Sequence, residues 1–178
     1  IIMSEKKANE YSVPKSKRIY LHGCADINEV CNITERPELF RSSAIRLMGE
    51  KAFSMANWNV DEINYFDLYS CFPSMVELGR EALDISSNIS SPLTVTGGLP
   101  FFGGPGNNYV THSIATMMEK LRNNQNSKGL CTSNGWYATK QGIGLYSNIP
   151  VEGKWEREDP NNYHKIIDNT SKPEVDAC

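Results

Sequence analysis

The sequence predicts an α/β fold with a mixed β-sheet and a buried helix layer. Short apolar, β-prone runs alternate with longer segments whose apolar residues recur at helical spacing. Segments rich in glycine, proline, serine or asparagine separate these runs. At 178 residues, the chain has the length of one domain with a sizeable core.

The first elements are a short helix, a strand and a longer helix. The short helix begins after Ser4, whose side chain suits an N-cap, and stops before Pro14. The run KRIYLHGCADI reads as a strand. The longer helix spans about residues 42–56, and its apolar positions are Ala44, Ile45, Met48, Ala52 and Met55.

The next strand, INYFDLYSCF, ends at Tyr69, Ser70 and Cys71, and a helix with Pro73 in its first turn follows. Another helix is predicted over about residues 107–122. Its spacing predicts a buried stripe of Val110, Ile114, Met117, Met118 and Leu121. The strands KGLCTSN and GIGLYSN close the sheet, with GWYATKQ between them.

Residues 1–150 are predicted to form one domain, and the polar, charged residues 151–178 an extension or linker outside its core. The chain starts at Ile1 without an initiator methionine or the basic region of a signal peptide. We therefore expect a fragment of a longer protein.

Composition narrows the function classes. A net charge of −3 gives no general attraction for nucleic acid or an anionic membrane. No apolar run approaches the roughly 20 residues that span a bilayer. The five cysteines form no CxxC pair, so we expect neither zinc nor an iron–sulfur cluster, and a reducing cytoplasm is the simpler setting.

A glycine-rich stretch, TVTGGLPFFGGPGNNY at residues 94–109, precedes the helix predicted from residue 107. Glycines let a ligand approach the backbone closely, and a helix N-terminus offers unpaired N–H groups with a positive dipole end. An anionic oxygen of a phosphate or a thioester enolate would suit this loop. The P-loop pattern is absent, and an architectural turn between packed layers is the alternative.

Three strand ends are predicted to meet at one edge of the sheet. They are residues 69–72, the glycine-rich residues 103–108 and residues 131–135. In α/β proteins, ligands gather outside the carboxyl ends of strands. This edge is therefore the candidate site.

Three motifs resemble the C-terminal half of thiolases, with the similarity covering about residues 1–148. They are DLYSCFPS, LTVTGGLPFFGGPGNNYVTHSIATM and GLCTSNGWYATKQGIGLYS. The sequence is most similar to the group related to sterol-carrier-protein-X thiolases, commonly labelled acetyl-CoA acetyltransferases. The resemblance implies two similar halves stacked as α-β-α-β-α layers, a homodimer, and a coenzyme A thioester as substrate with no bound cofactor or metal.

The resemblance also implies that the nucleophilic cysteine lies in an N-terminal half, so we expect this fragment alone to have no catalytic activity. The catalytic positions of this half depart from the thiolase pattern. Gly104 stands where the Gly-His-Pro motif has its histidine, and Asn134 where the Cys-x-Gly motif has its cysteine. Residues 69–72 replace Asn-Glu-Ala-Phe or His-Asp-Cys-Phe. These changes put ordinary thiolase chemistry in question.

Tyr69, His112 and Asn134 are the candidate catalytic residues. Tyr69 suits a neutral donor, because lowering a phenol pKa from about 10 to 7 requires roughly 4 kcal/mol. His112 is a candidate because histidine as a residue type titrates near neutrality. It lies about 160° around its helix from Val110, and a structural role is the alternative. Asn134 would orient a water or a thioester oxygen. The predicted substrate-binding residues are Gly98, Gly103, Gly104, Pro105, Gly106, Asn107 and Gly135.

Cys71 and Cys131 are expected to be small buried apolar residues rather than nucleophiles. Three functions stay open. The first is acyl transfer with an acyl-CoA substrate and the chain's own N-terminal half. The second is retro-aldol cleavage of β-hydroxyacyl-CoA by a thiolase-like lyase working with an OB-fold partner. The third is a non-catalytic acyl-CoA-binding subunit.

Overall fold

The structure is a computed structural model that describes residues 1–170 and Pro173. Its four-stranded sheet has the order β1-β4-β3-β2, where β1 is Tyr20–Asn28, β2 is Tyr65–Asp67, β3 is Lys128–Gly135 and β4 is Lys140–Ser147. Strand β2 runs parallel to β3, whereas β3–β4 and β4–β1 are antiparallel. The predicted mixed sheet is confirmed.

Six α-helices occur in the described residues: α1 Glu5–Glu10, α2 Ser43–Ala56, α3 Pro73–Ala82, α4 Leu99–Phe102, α5 Tyr109–Asn123 and α6 Pro160–Asp168. Across residues 1–170, none of the helices combines the length and the apolar character that a membrane crossing requires.

Helix α2 covers one face of the sheet over β1 and β4. The Ser42 hydroxyl accepts the Ile45 N–H at its start, and left-handed Asn57 ends it. The predicted helix is confirmed, and it buries Ala44, Ile45, Met48 and Ala52. A Cβ at Gly23 of β1 would lie 2.2 Å from the carbonyl oxygen of Ala52, so the close contact between strand and helix requires glycine there.

Helix α5 packs on the opposite face, over β3 and β2. Its fully buried row is Tyr109, Ser113, Met117 and Leu121. The predicted stripe is correct at Met117 and Leu121, but Val110, Ile114 and Met118 are only half-buried. The prediction missed this row because it begins with two residues that carry hydroxyls and do not read as apolar.

Beyond β2, a backbone hydrogen bond and the Asp67 carboxylate, rather than a strand ladder, hold the neighbouring segment. The Leu68 N–H donates to the Leu93 carbonyl at 2.9 Å. The N–H groups of Val95 and Thr96 donate to the Asp67 carboxylate. This arrangement places the glycine-rich residues that follow beside the end of β2.

Helix α6 corrects the expectation that the residues after 150 lie outside the core. Its Tyr163 and Ile167 are buried in the core on the α2 side. The Trp155 indole N–H donates to the Leu21 carbonyl, and His164 Nε2 lies 2.9 Å from the Asp26 carbonyl oxygen, so this segment also covers the free edge of β1. The domain boundary at residue 150 stays a prediction, and Cys178 lies outside the described residues.

Candidate functional site

The end of β2 contacts the glycine-rich loop directly. The Leu99 N–H donates to the Ser70 hydroxyl at 3.0 Å, and Ser70 is buried. Gly98 is buried with φ near 93°, and a Cβ there would lie 3.3 Å from Ser70 Oγ. The chain can enter α4 against Ser70 only with glycine at this position.

The end of β3 contacts the end of β2 through the amide side chain of Asn134. Asn134 Nδ2 lies 3.8 Å from Cys71 Sγ, and Asn134 Oδ1 accepts the Gln141 Nε2–H at 2.8 Å. Both Asn134 and Cys71 are half-buried. The predicted meeting of the ends of β2 and β3 is therefore present.

A row of rings joins the candidate residues Tyr69 and His112. The Tyr69 and Phe102 rings each meet the Tyr109 ring edge-on, with centroids 5.5 and 5.8 Å away. The His112 ring lies 5.5 Å from Phe102. His112 is exposed, and Asn108 Nδ2 lies 3.2 Å from its Nε2. It stands at the far end of the row from Tyr69.

Tyr69 has the protonation state that a hydrogen-bond donor needs. Its backbone N–H donates to the Thr132 hydroxyl at 2.8 Å, which fixes the strand end. Burial raises the pKa of the Tyr69 phenol, and the neighbouring charge of Cys71 adds to this effect. The hydroxyl is therefore protonated at neutral pH.

The Asp67 side chain connects β2, the glycine-rich loop and α5 through hydrogen bonds. Its fully buried carboxylate accepts the Tyr109 hydroxyl at 3.0 Å and the N–H groups of Val95 and Thr96 at 3.0 and 3.2 Å. Burial raises the pKa of this carboxyl, and the hydrogen bonds oppose the shift. The Tyr109 hydroxyl also lies 2.6 Å from Thr96 Oγ1. Burial raises the pKa of the Tyr109 phenol to about 12, so Tyr109 donates and does not ionise.

The tip of the loop is open to solvent. Gly103, Gly104, Pro105, Gly106 and Asn107 are all exposed. Within the described residues, nothing lies within 4 Å of a Cβ built at Gly103, Gly104 or Gly106, leaving out each glycine's chain neighbours.

The helix predicted from about residue 107 begins at Tyr109 instead, after a 3₁₀ turn over Gly106–Asn108. Asn108 gives the helix no side-chain cap, since its amide contacts His112 and the Thr111 hydroxyl.

The structure thus brings together part of the predicted set. Tyr69 and Asn134 lie at the contacting ends of β2 and β3, Gly98 lies against Ser70 at the start of α4, and half-buried Gly135 adjoins Asn134. Gly103 to Asn107 and His112 lie on the exposed side of the loop. The roles assigned to these residues stay predictions.

Sequence reasoning overlooked Asp67, Tyr109 and Gln141. One pattern could have revealed Asp67, because a lone carboxylate within the apolar run INYFDLY has to be hydrogen-bonded when buried.

A comparison with protein-family models found no match, and neither did one with curated proteins. Solved structures do match. The SCP2-thiolase like protein type 1 from Mycobacterium smegmatis, described as monomeric, aligns over 96% of this chain with a TM-score of 0.88 and 35% sequence identity. This chain spans 37% of that protein's length.

A second match is the acetyl-CoA acetyltransferase from Syntrophomonas wolfei. It aligns over 83% of this chain with a TM-score of 0.61, and this chain spans 35% of its length. At 16% identity, this likeness concerns the fold alone.

Proposed function

This chain has a thiolase-like fold of the SCP2-thiolase type, and from that fold we propose that it handles acyl-CoA thioesters as one part of an acyltransferase. The reaction would be a Claisen condensation or a thiolysis. The contact of the Asn134 amide with Cys71, two residues after Tyr69, supports the proposal because it places a donor side chain at the end of β2. The chain spans 37% of its relative, so the nucleophilic cysteine would come from an N-terminal half outside these residues.

Acyl transfer needs a place for the negative charge that develops on the thioester oxygen. When a thiolate attacks the thioester carbon, the carbonyl oxygen becomes an oxyanion, and preorganised N–H and O–H donors stabilise it. The protonated Tyr69 hydroxyl and the Asn134 amide are donors of this kind. The glycine-rich loop lets the acyl group approach the backbone. Gly104 has no side chain, so the reaction would proceed without the histidine base of the Gly-His-Pro motif.

The test is acyl transfer from acetyl-CoA by the full-length protein carrying Tyr69→Phe. Removing one oxyanion donor lowers kcat by about 10²-fold or more, and we expect KM to stay within a few-fold. Tyr137→Phe is the matched control, since Tyr137 is 65% exposed on the β3–β4 turn. An unchanged kcat in the Tyr69 variant would remove Tyr69 from the mechanism. Absence of acyl transfer in the unmodified protein would reject the function.

A retro-aldolase is the second candidate, and the glycine at position 104 favours it. Such a lyase breaks the Cα–Cβ bond of a β-hydroxyacyl-CoA and gives a carbonyl compound and a shortened acyl-CoA. The Tyr69 phenol would hold the enolate oxygen of the leaving acyl-CoA, with an OB-fold protein as partner. Carbonyl release without acyl transfer would select this reaction. Acyl-CoA binding without either reaction would select the non-catalytic subunit.

The proposal extends to the setting of the protein. We expect a cytoplasmic protein of lipid metabolism, with the coenzyme A thioester as substrate and no bound cofactor. A homodimer is proposed by analogy with thiolases, whereas the SCP2-thiolase like protein type 1 is described as monomeric. Sedimentation of the full-length protein would distinguish the two states.

A further inference from the structure

Two amide side chains face each other at the end of the β3–β4 hairpin. Asn134 and Gln141 are directly opposite in the antiparallel register, so their side chains leave the same face of the sheet. Gln141 is 5% exposed, and its Nε2 lies 2.8 Å from Asn134 Oδ1. A buried donor therefore holds the acceptor end of the Asn134 amide.

An asparagine amide has one acceptor end and one donor end. Because Gln141 engages Oδ1, the Nδ2 group is the end that lies 3.8 Å from Cys71 Sγ. We propose that Gln141 is a positioning residue that fixes the orientation of the Asn134 amide, so that Asn134 presents N–H groups to the site. Of the two roles that the sequence left open for Asn134, this orientation favours contact with a thioester oxygen.

An N–H group suits the developing oxyanion of a thioester, whereas an amide carbonyl would instead accept a hydrogen bond from a water. The choice of the thioester oxygen as acceptor rests on the proposed function. The orientation of the amide does not, since it follows from the contact between Gln141 and Asn134.

The test replaces Gln141 with a side chain of the same shape that cannot donate. In the Gln141→Glu variant at pH 8, the introduced carboxylate accepts the Asn134 N–H, so the amide turns and Oδ1 faces Cys71. A donor near sulfur stabilises the thiolate, which is the form that iodoacetamide alkylates. We expect alkylation of Cys71, followed by peptide mass spectrometry, to slow roughly three- to tenfold, as the loss of one ordinary hydrogen bond implies.

Lys140→Gln is the charge-matched control, because it changes the net charge by the same amount at the exposed neighbouring position. We expect its Cys71 alkylation to stay within about twofold of the parent rate, as for a surface substitution. Gln141→Met supplies a second variant if the buried carboxylate prevents folding. It removes the donor without adding charge, and we expect slower alkylation together with shifted Asn134 side-chain amide resonances.

Unchanged Cys71 alkylation and unchanged Asn134 resonances in the folded Gln141 variants would overturn the inference, whatever the enzyme does. In the full-length protein, we expect Gln141→Glu to lower kcat for acyl transfer with little change in KM. If the unmodified protein transfers no acyl group, the proposed function fails, and the alkylation rate still decides the orientation of Asn134.

Discussion

Gly104 stands out among the loop glycines because its backbone does not require glycine. Its neighbours Gly103 and Gly106 have φ of 96° and 61°, values that other residues rarely adopt, whereas φ at Gly104 lies outside this region. A Cβ at Gly104 would meet no atom within 4 Å beyond its chain neighbours. The geometry therefore accepts the histidine that thiolases have at this point.

We predict that Gly104→His adds a general base to the full-length protein. A positioned base contributes about 10²-fold or more in rate, so acyl transfer from acetyl-CoA should rise by that order. Thermal unfolding should be nearly unchanged, because the position is exposed and unstrained. Steady-state kinetics and calorimetry on the same preparation would measure both quantities.

Gly103→His is the control for that experiment. At φ of 96° the new side chain strains the backbone by about 1–3 kcal/mol, so the variant should lose stability and gain no rate. A folded Gly104→His protein without any gain in rate would show that more than this base is lacking.

At the scale of elements, α6 is a polar helix that packs on the core through two buried residues, Tyr163 and Ile167. Ile167 is 3% exposed, whereas its neighbour Ile166 is 55% exposed. We predict that Ile167→Ala lowers the free energy of unfolding by about 2–5 kcal/mol, the usual cost of this truncation in a core. Ile166→Ala should stay within about 0.5 kcal/mol.

Urea unfolding of the two single variants measures this difference. Equal losses would indicate that α6 does not pack as described. An effect on both variants below 0.5 kcal/mol would return α6 to the linker that its composition suggests.

The elements that the sequence predicted correctly have strong local determinants. Helix α2 follows the Ser42 cap, and α3 begins with Pro73 in its first turn. Helix α6 was missed because its sequence is mostly polar and only Tyr163 and Ile167 are buried. Two apolar residues four positions apart are too short a pattern to recognise. Local sequence shows where a helix begins more reliably than which of its faces will be covered.

The site was predictable only in part for a related reason. Tyr69 and Asn134 stand at strand ends that the chain order already places at one edge. The pairing of Asn134 with Gln141 depends on the register of the hairpin, and the Asp67 network joins residues from three segments. Register and long-range contacts follow from packing of the whole chain, which no single window of sequence contains.

At the scale of the whole molecule, His22 joins segments that are far apart in the sequence. Its Nε2 lies 2.8 Å from the Ile149 carbonyl oxygen, and its ring lies 4.5 Å from the Trp58 ring. The ammonium of Lys128 lies 4.5 Å from the centre of the same Trp58 ring. These contacts between His22, Trp58, Lys128 and Ile149 are lost when the molecule unfolds.

Burial lowers the pKa of His22 from its ordinary value of 6.5, and the Lys128 charge adds to the effect, while the hydrogen bond to Ile149 opposes it. In the unfolded chain His22 is protonated near its ordinary pKa, whereas in the folded protein it is protonated only at lower pH. The unfolded state therefore binds more protons in the window below pH 6.5, and stability falls as the pH falls through it.

We predict that the urea midpoint, followed by tryptophan fluorescence, decreases as the pH is lowered from about 7 through the ordinary histidine pKa near 6.5. His22→Gln keeps an N–H donor for the Ile149 carbonyl but has no proton to gain, so its midpoint should depend less on pH in this window. Burial of Asp67 raises the pKa of that carboxyl, an effect that stabilises the fold as the pH falls and is shared by both proteins. Only the difference between the two curves therefore reports His22. Parallel curves would mean that His22 takes up its proton equally well in the folded and the unfolded chain.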